Sequence, residues 1–149
     1  MVVLLQRVSR ASVSIDGTEA GSIGEGLLLF VGIEQGDTET ESSWLARKCT
    51  QLRVFADDEG YMNHSLIDVG GEALVVSQFT LCGDTNTGNR PSFTRAAPPD
   101  KARELYNHFI EELQSHLSTQ VQSGEFGAMM DVELLNDGPV TFWVERSEQ

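Results

Sequence analysis

The run Gly26-Leu27-Leu28-Leu29-Phe30-Val31-Gly32-Ile33 decides the fold class, because it is continuously apolar between glycines. A segment of this kind reads as a strand covered on both faces, at the centre of a sheet. Working outward, Met1 to Val8 is apolar and β-branched, and Ser12-Val13-Ser14-Ile15 alternates polar and apolar before the turn signal Asp16-Gly17. Both read as strands. From about Thr38 the period changes: Leu45, Cys49, Leu52 and Ala56 recur at three or four residues, with acids near the start and Arg47 and Lys48 later, which predicts a helix. Ala73 to Leu81 is a further strand. A second helix follows Pro98-Pro99-Asp100, with Ala102, Leu105, Phe109, Leu113 and Leu117 in one apolar stripe that packs on a sheet. Met130 to Leu135 is another strand, and Asn136-Asp137-Gly138-Pro139 turns the chain into Val140 to Val144. About six to eight strands and two main helices make an α+β domain with largely antiparallel sheets.

The chain has 149 residues, which predicts one domain over residues 1–149. At this size about 68% of the surface of the unfolded chain can be buried, so no disulfide or metal staple is needed. No apolar run approaches the roughly 18 residues that span a bilayer, and the first residues lack the pattern of a signal peptide. The expectation is a cytoplasmic protein. Cys49 and Cys82 have no CxxC or Cys/His spacing and read as reduced thiols packed as small hydrophobes.

Ten Lys and Arg stand against 23 Asp and Glu, a formal net charge of -13. A protein that grips a long phosphate backbone normally presents a basic face, so any nucleic-acid contact here must be small, and DNA is not an expected partner. The acids gather in Glu34 to Glu41 and Asp57 to Glu59, read as solvated loops and helix starts.

Signatures of nucleotide, metal or nucleophile-elbow chemistry are absent: there is no GxSxG, Walker loop, HExxH, GxGxxG or CxxC. Neither a cofactor nor a metal is expected. His64, His108 and His116 share no motif spacing and read as surface residues. Three stretches break local rules, which is where function tends to reside. In Ser77-Gln78-Phe79-Thr80-Leu81 the apolar strand turns polar, and alternation puts Gln78 and Thr80 on one face and Ser77 and Phe79 on the other. Such side chains either satisfy neighbouring backbone or serve a ligand, since an unpaired buried polar group costs about 1–3 kcal/mol. In Gly88-Asn89-Arg90-Pro91-Ser92-Phe93, Arg90 is either a surface arginine beside a turn proline or a fork for a phosphate or carboxylate. Asp137-Gly138-Pro139-Val140-Thr141 reads by itself only as a hairpin; a cis Gly138-Pro139 bond would redirect both carbonyls and could make a ligand wall from main chain.

With SQFTL at 77–81, NRPSF at 89–93 and NDGPVT at 136–141 in this order and spacing, the chain resembles the D-aminoacyl-tRNA deacylases. The likeness extends to LLQRVSRASV at 4–13, MNHSL at 62–66, the second helix and FWV at 142–144. Differences lie in the acidic segments 34–41 and 57–59 and in the tail from Arg146 to Gln149. The resemblance implies a barrel-like α+β core and a homodimer that hydrolyses the ester between a D-amino acid and the 3′ terminal adenosine of tRNA. It implies that Gly138-Pro139 is cis and enters the site of the other subunit beside Ser77, Gln78, Phe79 and Thr80. It further implies that Arg7 holds that loop, that Met129 lies near the substrate, and that catalysis uses main-chain atoms with the substrate 2′-OH. The segment Arg90, Pro91, Ser92 and Phe93 joins the substrate-binding set. An aminoacyl ester is already activated, so a site need only place a water and stabilise the oxyanion, for instance through the N–H of Phe79 or Thr80. A rigid carbonyl wall would exclude an L side chain while admitting glycine. Two alternatives stay open: a covalent hydrolase using Thr80, and a non-catalytic module that binds aminoacyl-tRNA ends.

Overall fold

The computed structural model describes residues 1–147; of the tail, Glu148 and Gln149 lie outside the described residues. The central strand forms as the sequence predicts. β3 (Gly26–Gly32) is buried along nearly all its length. Around it a mixed six-stranded sheet runs in the order β2-β1-β3-β6-β7, with a further strand, β8, on β1, and it nearly closes into a barrel. β1 (Val2–Ile15) is antiparallel to β2 (Thr18–Ile23), β3 and β8 (Asp131–Glu145). The pairings of β3 with β6 (Glu72–Ser77) and of β6 with β7 (Gln122–Ser123) are parallel. Between them, β4 (Phe55–Ala56) and β5 (Met62–His64) form a separate small hairpin.

The α+β class stands, and the differences from the sequence reading lie at element ends. The two segments expected as strands before Asp16 are one continuous β1, and the two expected around Asn136 are one β8 with register shifts near its middle. α1 (Glu39–Gln51) begins at a capping box, where Thr38 accepts from the backbone and Glu41 reaches back to the Thr38 N–H. It stops before Leu52 and Ala56, which the stripe had included. Thr50 Oγ1 donates to the Arg47 carbonyl in the last turn, competing with the helical ladder, and Leu52 has left helical dihedrals. α2 (Leu66–Val69) is a single capped turn. α3 (Pro99–His116) carries the predicted apolar face: Ala102, Leu105, Phe109 and Leu113 are buried against α1 and the sheet.

Two expectations about charge are corrected. Asp37 is buried, not solvated, because it takes the Met1 ammonium at 2.8 Å and the Glu34 N–H at 2.7 Å. His108 is half-buried rather than a surface residue, with Nδ1 2.9 Å from Ser42 Oγ between α1 and α3. Cys49 and Cys82 are free and buried, as read.

Candidate functional site

Where β6 ends, the chain departs from the alternation the sequence suggested. Ser77 is the last strand residue, and Phe79–Cys82 forms a 3-10 turn. Gln78 N still donates to Val31 O at 2.8 Å, but its ψ of 76° then bends the backbone, so Phe79 and Thr80 lie on the turn rather than on opposite sheet faces. The turn packs hard against β3: a Cβ at Gly32 would lie 3.1 Å from both Leu81 Cβ and Cys82 Sγ. Leu81 N bonds Gln78 O and Gly83 N bonds Thr80 O. The N–H groups of Phe79 and Thr80, the first two of the turn, have no acceptor among the described residues. Gln78 Nε2 donates to Thr80 Oγ1, which fixes the hydroxyl in place.

These residues open onto a cavity of about 580 Å³. Ser77, Gln78, Phe79 and Thr80 line it together with Phe126, Met129, Ala96, Ala97 and Ala102. Not one lining residue carries a titratable side chain. Cys82, just behind the turn, has its thiol pushed up to about 11 by burial and by the charge of Glu34, so it stays protonated at neutral pH. Among the described residues no three His, Cys, Asp or Glu side chains converge as metal ligands.

Met129 is 89% exposed at the cavity mouth. Phe93 reaches the site by its ring, whose centroid is 5.0 Å from that of Phe79 in an edge-on arrangement. Ser92 is tied to Asp84 by paired backbone bonds, while Arg90 and Pro91 are exposed on the loop. The sequence reading missed Phe126 and the small residues 96, 97 and 102. The apolar cluster Phe126 to Met130, sitting in a connection rather than a strand, was the available signal.

Arg7, Gly138 and Pro139 are elsewhere. The Gly138-Pro139 bond is cis. Arg7 Nη1 donates to Val54 O at 2.6 Å and Nε to Asp137 O at 3.2 Å, with the Asp137 carboxylate 3.4 Å away. Gly138 has φ +120°, and a Cβ there would meet Arg7 Nη2 at 2.7 Å. Arg7 pairs with Leu27, which pairs with Ala73, whereas on β6 the cavity lining begins at Val76. Three residues of strand separate the two levels, roughly 10 Å along the sheet. Gly138 and Pro139 therefore take no part in the cavity of their own chain. Nearby, β8 pairs, among the described residues, only with β1 and exposes Leu135, Phe142 and Trp143.

The mixed, nearly closed barrel is shared with solved structures. One titled "c-Myc DNA Unwinding Element Binding Protein" superposes with a TM-score of 0.94 at 40% identity, covering 99% of this chain and 100% of that one. Another, titled a probable eukaryotic D-amino acid tRNA deacylase, gives 0.83 at 16% identity over 97% and 98%. The family model described as D-Tyr-tRNA(Tyr) deacylase matches residues 4–145, and the chain belongs to that family. A protein from Salinibacter ruber named D-aminoacyl-tRNA deacylase is 63% identical over 98% of this chain and 97% of its own length. One of the same name from Thermomicrobium roseum is 57% identical over 99% and 96%.

Proposed function

We propose that the protein hydrolyses the ester linking a D-amino acid to the 3′ terminal adenosine of tRNA, releasing the free amino acid and the tRNA. The observation that carries the mechanism is the cavity wall: two unpaired backbone N–H groups, at Phe79 and Thr80, beside a wall without any titratable side chain. The ester carbonyl sits against those N–H groups, which stabilise the oxyanion as water attacks; one such donor is typically worth about 10²–10³ in rate. With no side-chain base at hand, the vicinal 2′-OH of the substrate orients the water. Thr80 Oγ1, held by Gln78, positions and does not attack, because nothing beside it can take its proton. Ser77, Met129, Arg90, Pro91, Ser92 and Phe93 complete the substrate-binding set.

Chirality is read by the partner. The working unit is a homodimer in which Gly138 and Pro139 of one protomer enter the cavity mouth of the other, their carbonyls accepting from the substrate ammonium and filling the volume an L side chain needs. The separation of this loop from its own cavity supports that arrangement, as do the unpaired edge and exposed apolar residues of β8, a liability that association covers. Arg7 keeps the loop in place. Glycyl-tRNA, with no side chain to exclude, passes the same filter, and the protein works in the cytoplasm, where aminoacyl-tRNA is made.

Parallel incubation with D- and L-tyrosyl-tRNA tests the reading: the D ester is cleaved and the L ester persists. Equal cleavage of both, or binding without turnover, contradicts it. Loss of all activity in Thr80→Ala, together with an acyl-enzyme seen by mass spectrometry, would replace it by the covalent route.

A further inference from the structure

The charge of the chain is distributed unevenly along the sequence. Residues 90–103 hold Arg90, Arg95, Lys101 and Arg103 against the single acid Asp100, a net of +3, while the other 135 residues hold 6 bases and 22 acids, a net of -16. All four bases are exposed, and none takes part in an ion pair among the described residues. In sequence they neighbour residues of the cavity wall, as do the acids Glu34, Glu125 and Asp131. Arg95 immediately precedes the wall residues Ala96 and Ala97, Lys101 immediately precedes the wall residue Ala102, and the Arg103 guanidinium lies 5.2 Å from the ring centroid of Phe126, itself part of the wall. Phe79 and Phe93 form an aromatic pair that is 59% and 38% exposed. None of these four cations has an acid within ion-pair distance among the described residues, and an anionic ligand supplies the missing partner. A basic track beside exposed aromatic rings suits a single nucleic-acid strand, whose phosphates follow the cations and whose bases stack.

We propose that the segment 90–103 is the track for the single-stranded 3′ end of the RNA, with Arg95, Lys101 and Arg103 taking successive phosphates 5′ of the terminal nucleotide and Arg90 the outermost one. The inference rests on the deacylase reading and adds to it where the polynucleotide lies. It also explains how so acidic a protein holds RNA: the remaining surface repels the rest of the polyanion, so contact is confined to the few nucleotides nearest the ester.

The test compares wild type with the Arg95→Ala/Lys101→Ala double variant, and with Arg47→Ala as a control that removes an exposed cation on α1. In single-strand binding, log K falls with log[salt] by about 0.7 per phosphate contact, so the double variant should lose about 1.4 from the slope of KM for D-tyrosyl-tRNA while Arg47→Ala loses none. At low salt its KM rises about tenfold with kcat maintained, whereas cleavage of the D-tyrosyl ester of adenosine, which has no phosphate, shifts by less than about twofold. Unchanged slope and KM in the double variant overturn the track. A fluorescein-labelled single-stranded RNA ending in CCA, titrated by anisotropy, reads the same cations without catalysis: weaker binding by the double variant alone supports the track, and equal binding by all three proteins overturns it. Should wild type cleave no D-aminoacyl ester, the deacylase reading fails by itself, and the anisotropy still decides the track.

Discussion

Replacing Gly138 by Ala perturbs the loop to which the proposed function assigns chiral selection. The residue has φ +120°, a region that L side chains rarely adopt, and the new Cβ would lie 2.7 Å from Arg7 Nη2 and 2.9 Å from Val140 Cγ2. Backbone strain of this kind costs about 1–3 kcal/mol. The clash adds to it: Arg7 must retreat, weakening its bonds to Val54 O at 2.6 Å and Asp137 O at 3.2 Å. Hydrogen bonds to a charged donor contribute about 1.5–3 kcal/mol each. Against this, an alanine in place of glycine restricts the unfolded chain and returns about 0.4–1 kcal/mol. The net is a loss of about 2–4 kcal/mol, which for a chain of this length lowers Tm by roughly 5–15 °C. The fall in activity should exceed the fall in folded fraction, with kcat/KM for D-tyrosyl-tRNA down at least about 100-fold at 25 °C, equivalent to about 2.7 kcal/mol of lost transition-state stabilisation. A thermal melt by circular dichroism and a deacylation time course measure both. In an Arg7→Ala background the same substitution should cost about 1–2 kcal/mol less, because the clashing group is gone. A Tm within about 2 °C of wild type, with kcat/KM within about threefold, would refute the reasoning.

Other perturbations read neighbouring parts of the account. Arg7→Gln removes the ion pair with Asp137 but keeps a donor, and should lower kcat/KM while leaving the far-UV spectrum unchanged; activity equal to wild type would show that the loop holds itself. Glu41 is held below the ordinary carboxylate range, chiefly by the hydrogen bond from the Thr38 hydroxyl. A lowered folded pKa adds stability above the unfolded value of 4.5 and loses it as pH falls through the folded value, so Glu41→Gln should lower Tm at pH 7, with the deficit shrinking as pH falls below 4.5. A Tm deficit independent of pH would contradict that. Burial pushes the Cys49 thiol up to about 12 and, with the charge of Glu34, the Cys82 thiol up to about 11. Neither should react with a thiol reagent at pH 8 until the chain unfolds, and rapid labelling of the native protein would show that the region beside the site opens.

The parts of this fold that were legible in the sequence are those where one physical pattern dominates. The apolar run 26–33 could be covered only as a central strand, and the stripe from Ala102 to Leu113 behind Pro99 could only be an amphipathic helix. The end of β6 was not legible. Ser77 to Leu81 keeps a strand-like alternation, yet tertiary packing of Leu81 and Cys82 against Gly32 bends it into a 3-10 turn, and that bend is what frees the Phe79 and Thr80 amides. Asp37 looked like one of a solvated acidic cluster because its partner, the Met1 ammonium, is 36 residues away in sequence. Of the cavity lining, residues 77–80 and Met129 stand in motifs the sequence singles out, whereas Ala96, Ala97 and Ala102 do not, since small wall residues carry no chemical signal of their own. The distance between Gly138 and its own cavity was equally invisible, being a matter of register across three strands.

The most direct measurement is complementation between two inactive variants, one with its cavity filled by Ala128→Trp and one with its loop disturbed by Gly138→Ala. Unfolded and refolded together in equal amounts, they form a mixed dimer with one intact cavity facing one intact loop, and D-tyrosyl-tRNA hydrolysis should return to about a quarter of the wild-type rate. If each chain builds its site alone, the mixture stays as inactive as its components, and the shared site is wrong.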